Sequence, residues 1–349
     1  MEMRRFLKYR DKSFLIWLAS GCVLIFVMVL IGGLTRLTHS GLSMVDWTLF
    51  GSTPPFNQSD WEHLFEQYKQ YPEYKQVNFN FSLEDFKKIF WWEYIHRMIG
   101  RLMGLIFIAG WIYFSLKKII LPPLHKRLLI LGLLGFSQGL LGWYMVQSGL
   151  LDRPDVSHYR LAMHLGTAFI TFAYNLWLLL SIGFEEKLEI NHQRNPGIGK
   201  WLVVFNVLLF LQIIYGAFVA GLDAGFVFND WPLMDNSRGQ WMADAVTAMQ
   251  PFWKNWVENI AGVQFIHRHI PYLLFVIWTI VWLKSRKQLL SKSQTNSIRW
   301  IGLALLLQFI LGVTTLLMHT PLLLASLHQL GGFILWAMGI FALHRFFTK

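Results

Sequence analysis

Four histidines recur in register between the two halves of this chain: His96 and His164 in the first, His267 and His328 in the second. Each lies inside a long apolar run, about four to eight residues from its non-cytoplasmic end. At 1.5 Å per residue that is a shared depth of roughly 6 to 12 Å. A single histidine inside a membrane is as readily a hydrogen-bonded polar residue as a ligand. Four at equivalent positions form two facing pairs, and bis-imidazole ligation of a haem between facing helices is the chemistry that geometry serves. Copper or another metal is the rival, although no Met or Cys stands at matching positions.

The halves differ beside these pairs. Glu93 precedes His96 by three residues and shares its helix face, whereas the matching residue before His267 is Gln264. A carboxyl at a membrane edge is costly, so it is either an interface residue or a group that takes and relays protons. The acid assigns substrate to the first half, and neutral Gln264 suits a permanent electron carrier in the second. Arg36, Arg97, Arg101, Arg160 and Arg268 lie near the outer boundary, where guanidinium can pair with haem propionates or snorkel to the interface. Gly100, Gly104, Gly166, Gly331 and Gly332 would admit a flat macrocycle or a neighbouring helix. His39, His63, His125, His158, His192, His319 and His344 fall in loops or at helix ends and are expected to be solvated. His269 points to a different helix face from His267.

Eight apolar runs are long enough to carry these residues across roughly 30 Å of hydrocarbon. They lie near 14–35, 92–115, 126–147, 160–182, 201–222, 260–283, 298–318 and 323–344. Arg4, Arg5, Lys8, Arg10 and Lys12, then Lys117, Lys118, Lys126 and Arg127, then Lys187, Arg194 and Lys200, then Lys284, Arg286, Lys287 and Lys292 mark alternate connections as cytoplasmic. Both termini are then cytoplasmic, and the long aromatic segments 37–90 and 223–258 are outer lids over a site. The basic start resembles a signal peptide, but its apolar stretch is too long, and it reads as a retained first helix with no transit peptide.

Self-comparison supplies the organisation. Gly41-Leu-Ser-Met-Val-Asp46-Trp47 matches Gly225-Phe-Val-Phe-Asn-Asp230-Trp231 at an offset of 184 that extends back through Gly32 and Gly216. Glu93-Tyr-Ile-His96-Arg97 matches Gln264-Phe-Ile-His267-Arg268, Gln138 to Gly142 matches Gln308 to Gly312, and the His164 segment matches that of His328. The expected fold is an all-α membrane protein: eight transmembrane helices as two tandem four-helix bundles, residues 1–183 and 184–349. They are related by a pseudo-two-fold axis along the membrane normal.

Composition agrees and narrows the function. The 349 residues are 54% hydrophobic and 15% charged, with 17 Trp and 29 Phe, and the mean hydropathy is +0.40. A net charge of +11 spread over short segments is not a nucleic-acid surface. Cys22 is the one cysteine, so redox work needs a cofactor.

At these residues the chain resembles the haem A synthase family. The resemblance is carried by Gly33-Leu-Thr35-Arg36-Leu-Thr38-His-Ser40-Gly41, Pro72-Glu-Tyr-Lys75, Phe90-Trp-Trp-Glu93-Tyr-Ile-His96-Arg97, His164, Phe265-Ile-His267-Arg268 and His328. It is closest to the mitochondrial and proteobacterial-like branch. It implies oxidation of the C8 methyl of haem O, through hydroxymethyl, to the formyl group of haem A for cytochrome oxidase. Glu93, His96 and His164 fall at the substrate site; His267 and His328 hold haem b, with Arg97 and Arg268 as haem-binding arginines. Cysteine pairs present in the outer loops of one branch are missing, which rules out a loop-disulfide relay. The N-terminus read without a transit peptide favours a bacterial inner membrane, and the basic loops place the haem sites toward its non-cytoplasmic side. Partners would be a haem O synthase, an unidentified electron acceptor and membrane lipid; the sequence leaves homo-oligomerisation open. A quinone-linked dihaem b-type carrier explains the histidines but not Glu93, and a transporter explains only the repeat.

Overall fold

The computed structural model describes residues 11–46, 54–150, 154–183, 194–234 and 247–348. Arg4, Arg5, Lys8, Arg10, Trp47, Lys187 and His192 lie outside the described residues. The regular elements among those described are helical: α1 (Lys12–Leu37), α2 (Gln58–Tyr68), α3 (Pro72–Gln76), α4 (Leu83–Leu116), α5 (Pro122–Leu150), α6 (His158–Gly183), α7 (Pro196–Gly221), α8 (Ile260–Ser285), α9 (Lys292–Leu317) and α10 (Leu322–Phe347). Short 3-10 turns occupy Ala224–Phe226 and Phe252–Trp256. All but α2 and α3 are long and apolar enough to cross a membrane, giving eight candidate spans.

Helix starts are written locally. Asp11, Asn57, Asn195 and Asn259 cap α1, α2, α7 and α8 through their side chains, and Ser82 with Asp85 and Ser291 with Gln294 form capping boxes on α4 and α9. The boundaries also recur at the offsets seen in sequence. Residues 12 and 37 bound α1, and 196 and 221 bound α7, both 184 apart; α6 and α10 are 164 apart at both ends. Just past the ends of α1 and α7, His39 and Asp223 share a left-handed backbone, φ 49° and 50°.

Helices α1, α6, α7 and α10 pack around one another at the centre, with α4 and α5 flanking one side and α8 and α9 the other. Phe169, Phe172, Phe205, Phe333 and Trp336 fill the central core, and Trp336 Nε1 donates to Phe169 O at 3.0 Å. The segment expected as an outer lid is more structured than a loop. It folds as α2 and α3 and an early start of α4 at Leu83, bound by a cluster of Trp61, Phe65, Tyr68, Phe86 and Phe90. His96 is therefore thirteen residues into its helix, while His164, His267 and His328 are six, seven and six residues into theirs.

Candidate active site

One cavity of about 1450 Å³ receives His96, His164, His267 and His328. It exceeds the roughly 300–1,000 Å³ of a pocket for one drug-sized ligand. Each ring is held against a glycine of the preceding candidate span. A Cβ on Gly32 or Gly142 would lie 3.0 or 3.4 Å from Cε1 of His96 or His164, and one on Gly216 or Gly312 would lie 3.2 or 2.7 Å from Cε1 of His267 or His328. These glycines were visible in the repeat, but as members of matched motifs and not as partners of the imidazoles. Of the glycines expected near the site, Gly166 serves helix packing, lying against Ile214 and Phe210.

Glutamines fix three of the four histidine helices. Gln308 Nε2 donates to His328 O at 2.8 Å and is 3.1 Å from Nδ1; Gln212 Nε2 donates to His267 O at 2.9 Å. With its amide oriented to satisfy both neighbours, Gln138 donates to His164 O at 3.2 Å. The residue 184 before Gln212 is Met28, so His96 alone lacks this partner.

The residues present fit a haem. His267 and His328 have ring centroids 6.4 Å apart. They would be the pair that holds a haem in the second half, and His96 and His164 the pair that holds one in the first. Nδ1 of His96, His164 and His267 is buried without a hydrogen-bond partner, and the remaining lining is mostly apolar. His96 and His164 line the same cavity.

Beside the first pair, Glu93 is 3% exposed and held by donors from an outer segment some fifty residues earlier. Ser43 Oγ and Met44 N donate to its Oε2 at 2.7 and 2.8 Å, and Arg97 forms an ion pair with Oε1. A buried carboxylate is tolerated only when paired and hydrogen-bonded in this way. The second half repeats the frame with the arginine contact kept, Gln264 Oε1 accepting from Arg268 Nη2 at 3.2 Å, and the loop contact reversed. Arg97 donates to Asp46 O and Met44 O, and Arg268 to the equivalent Asp230 O and Phe228 O. Yet Gln264 Nε2 donates to Ala224 O at 2.9 Å, and Val227 replaces Ser43. Both arginines line the cavity while bracing these loops. Ser43 is a site residue that local sequence reading misses, although its mismatch with Val227 across the repeat was a signal.

Arg36 joins the copies. Its Nη2 donates to Ala220 O at 2.8 Å and to Asp223 Oδ1 at 3.1 Å, the repeat counterparts of Arg36 and His39. Arg160 instead stacks over Tyr144 and donates to its carbonyl, and Arg101 Nη1 is 3.7 Å from Met98 Sδ.

A second buried acid reaches the same cavity from α3. Glu73 Oε2 accepts from Tyr68 Oη at 2.9 Å, and Tyr68 Oη accepts from Asn78 Nδ2 at 2.9 Å. Burial, opposed by the Tyr68 hydrogen bond and aided by the Glu93 charge, pushes the Glu73 carboxyl up to about 8. Burial also pushes the Tyr68 phenol upward. The folded protein thus holds a proton on Glu73 that the unfolded chain releases. Stability from this site is present below the ordinary value of 4.5 and is lost as pH rises through about 8. Thermal unfolding of Glu73→Gln should accordingly show a smaller fall in Tm between pH 5 and 8 than the parent protein. An equal fall in both would show that Glu73 does not retain its proton.

His39, His63 and His319 are exposed as expected, and three other histidines correct that expectation. His344 is buried, with Nε2 3.1 Å from Ser181 Oγ; His125 Nδ1 accepts from Trp111 Nε1, and His158 Nε2 is 2.9 Å from Val257 O. These are packed polar groups and not solvated ones, because the helix ends they occupy are covered by neighbouring elements.

Eight candidate spans around a cavity lined by His96, His164, His267 and His328 define a multi-pass helical membrane protein. The chain belongs to the COX15-CtaA family, cytochrome oxidase assembly protein, whose model matches residues 15–340. It is 47% identical over 342 residues to a heme A synthase of Flavobacterium psychrophilum, covering 96% of this chain and 98% of the relative. Heme A synthases of Flavobacterium johnsoniae and Nitrosospira multiformis are 44% and 42% identical, over 97% and 96% of this chain and 99% and 94% of theirs.

Proposed function

We propose that this protein is a haem A synthase, oxidising the C8 methyl of haem O through hydroxymethyl to the formyl group of haem A for cytochrome oxidase. Written as a balance, a methyl and one water become a formyl group with loss of four electrons and four protons. The halves are two tandem four-helix bundles related along the membrane normal, divided near residue 183. Haem O binds in the first between His96 and His164, and haem b in the second between His267 and His328. Both termini are cytoplasmic and the sites lie toward the other face of the inner membrane.

Haem b supplies one-electron transfer when bound. This chain's residues do the rest. His96 and His164 orient the substrate, Glu93 receives protons at the reacting side, and Ser43, Met44 N and Arg97 keep its carboxylate in place. Arg97 and Arg268 are also candidates for the haem propionates. Substrate comes from a haem O synthase, and electrons pass to an acceptor still to be identified.

The observation that supports this reading is the reversal at Glu93 and Gln264: the loop side of the frame holds a carboxylate that accepts from Ser43 and Met44 in one half and an amide that donates to Ala224 in the other. A dihaem b-type carrier has no use for that difference. Expressing the chain with a haem O source and analysing extracted haems by mass should reveal haem A or its hydroxylated precursor. Recovery of unmodified haems alone would refute the enzyme.

A further inference from the structure

The two halves differ a second time, well away from Glu93. On α4 and α5, a Cβ built on Gly104, Gly135 or Gly139 meets nothing within 4 Å. At the offsets of 171 and 170 that align the histidine and glutamine motifs, these positions become Phe275, Leu305 and Phe309 on α8 and α9. There the space is filled. Phe275 and Phe309 pack edge to face with centroids 5.7 Å apart, Tyr272 and Phe309 lie 5.6 Å apart, and Leu305 is buried. Helices α8 and α9 are also more closely packed than α4 and α5.

The vacant volume is continuous with the candidate substrate site. The cavity lining runs along α4 from His96 past Gly104 to Ile108 and along α5 from Gly142 back to Leu129. Those stretches rise over twelve and thirteen residue steps, so the slot extends about 18–20 Å from the imidazole level. Its wall is apolar, with Leu105, Ile108, Leu133 and Phe136 lining the cavity and lying partly exposed at the outer face of the two helices. The buried, unpartnered Nδ1 atoms of His96 and His164 mark its upper end as a ligand site.

We infer that the gap between α4 and α5 is a slot for the long isoprenoid side chain that distinguishes haem O from haem b, and that Phe275, Leu305 and Phe309 close the equivalent slot in the second half. This rests on the assignment of haem O to the first half. A lipid acyl chain is the competing occupant, but it would not require the slot to begin at a histidine pair. The arrangement makes each half selective: a tail has room beside His96 and His164 and none beside His267 and His328. Substrate and product can then reach the first site from the bilayer, with the tail remaining in an apolar environment throughout.

The test uses the full chain in lipid nanodiscs with resident haem b. Gly135→Leu with Gly139→Phe installs the second-half residues in the first. Haem O and protohaem, which lacks the tail, are titrated separately in excess of resident haem b. The double variant is expected to lose about tenfold or more in affinity for haem O while protohaem affinity changes less than about twofold. Equal loss for both haems, or no loss for haem O, would overturn the slot. Loss of a co-purified phospholipid with unchanged haem O affinity would assign the space to lipid and overturn it as well. If the double variant does not retain haem b, Gly104→Leu is titrated in the same way, and the same selective loss is required. Parent protein that fails to bind or convert haem O would refute the assignment of substrate, a result separable from the behaviour of the variants.

Discussion

Glu93→Gln should reduce haem A formation by about 10²–10⁴-fold, the range of a lost general acid–base group, while haem b remains in the second half. The substitution gives the first half the side chain that the second half already carries at Gln264. Size and helix position are preserved, so the change falls on charge and hydrogen-bond direction. Ser43 Oγ, Met44 N and Arg97 all donate to the native carboxylate. An amide offers one acceptor oxygen and turns an NH₂ group toward donors, leaving buried hydrogen-bonding capacity unmet at a cost of about 1–3 kcal/mol. The outer segment carrying Ser43 and Met44 should loosen modestly, and the proton acceptor is lost altogether. Haem extraction with mass analysis, alongside the reduced-minus-oxidised absorption of haem b, reads both quantities. Loss of haem b with continued product formation would reverse the assignment of the halves.

The features legible in sequence and those that were not differ in range. Eight spans follow from uninterrupted apolar windows, because a membrane helix must satisfy its own backbone and present hydrocarbon outward. The histidine pairs follow from repetition: offsets of 171 and 164 carry His96 to His267 and His164 to His328, and the ends of α6 and α10 fall at the second of these offsets. The clamp on Glu93 was hidden because Ser43 and Met44 belong to a segment about fifty residues away, with no periodicity that predicts the contact. Glu73 stood inside a recognised motif, yet its burial depends on α2 and α3 folding over α4 through Tyr68, Phe65 and Phe86. The glycines facing each imidazole could have been paired with them, since Gly32 and Gly216, and Gly142 and Gly312, are themselves repeat mates. What sequence lacks is the rotation of each helix, which decides whether a glycine faces a ring or a neighbouring backbone.

Separate loss of the two sites is the second large effect expected. His328→Ala should abolish haem b absorption and with it nearly all product. His164→Ala should abolish product while leaving haem b absorption within about twofold of the parent, because sites without shared partners act independently. The structure supports that independence at the level of each histidine. His328 is fixed by Gln308 and Gly312 on α9, and His164 by Gln138 and Gly142 on α5; neither set touches the other. The coupling runs instead through the centre, where Arg36 bonds to Ala220 and Asp223 and α1, α6, α7 and α10 share one core. That contact holds the two cofactor positions in one body without committing a ligand of either to the other. Under the proposed assignment, electrons passing from the first site to the second would need both haems but no shared side chain. A His164→Ala protein lacking haem b would contradict this, since it would mean that the second site assembles only when the first is intact.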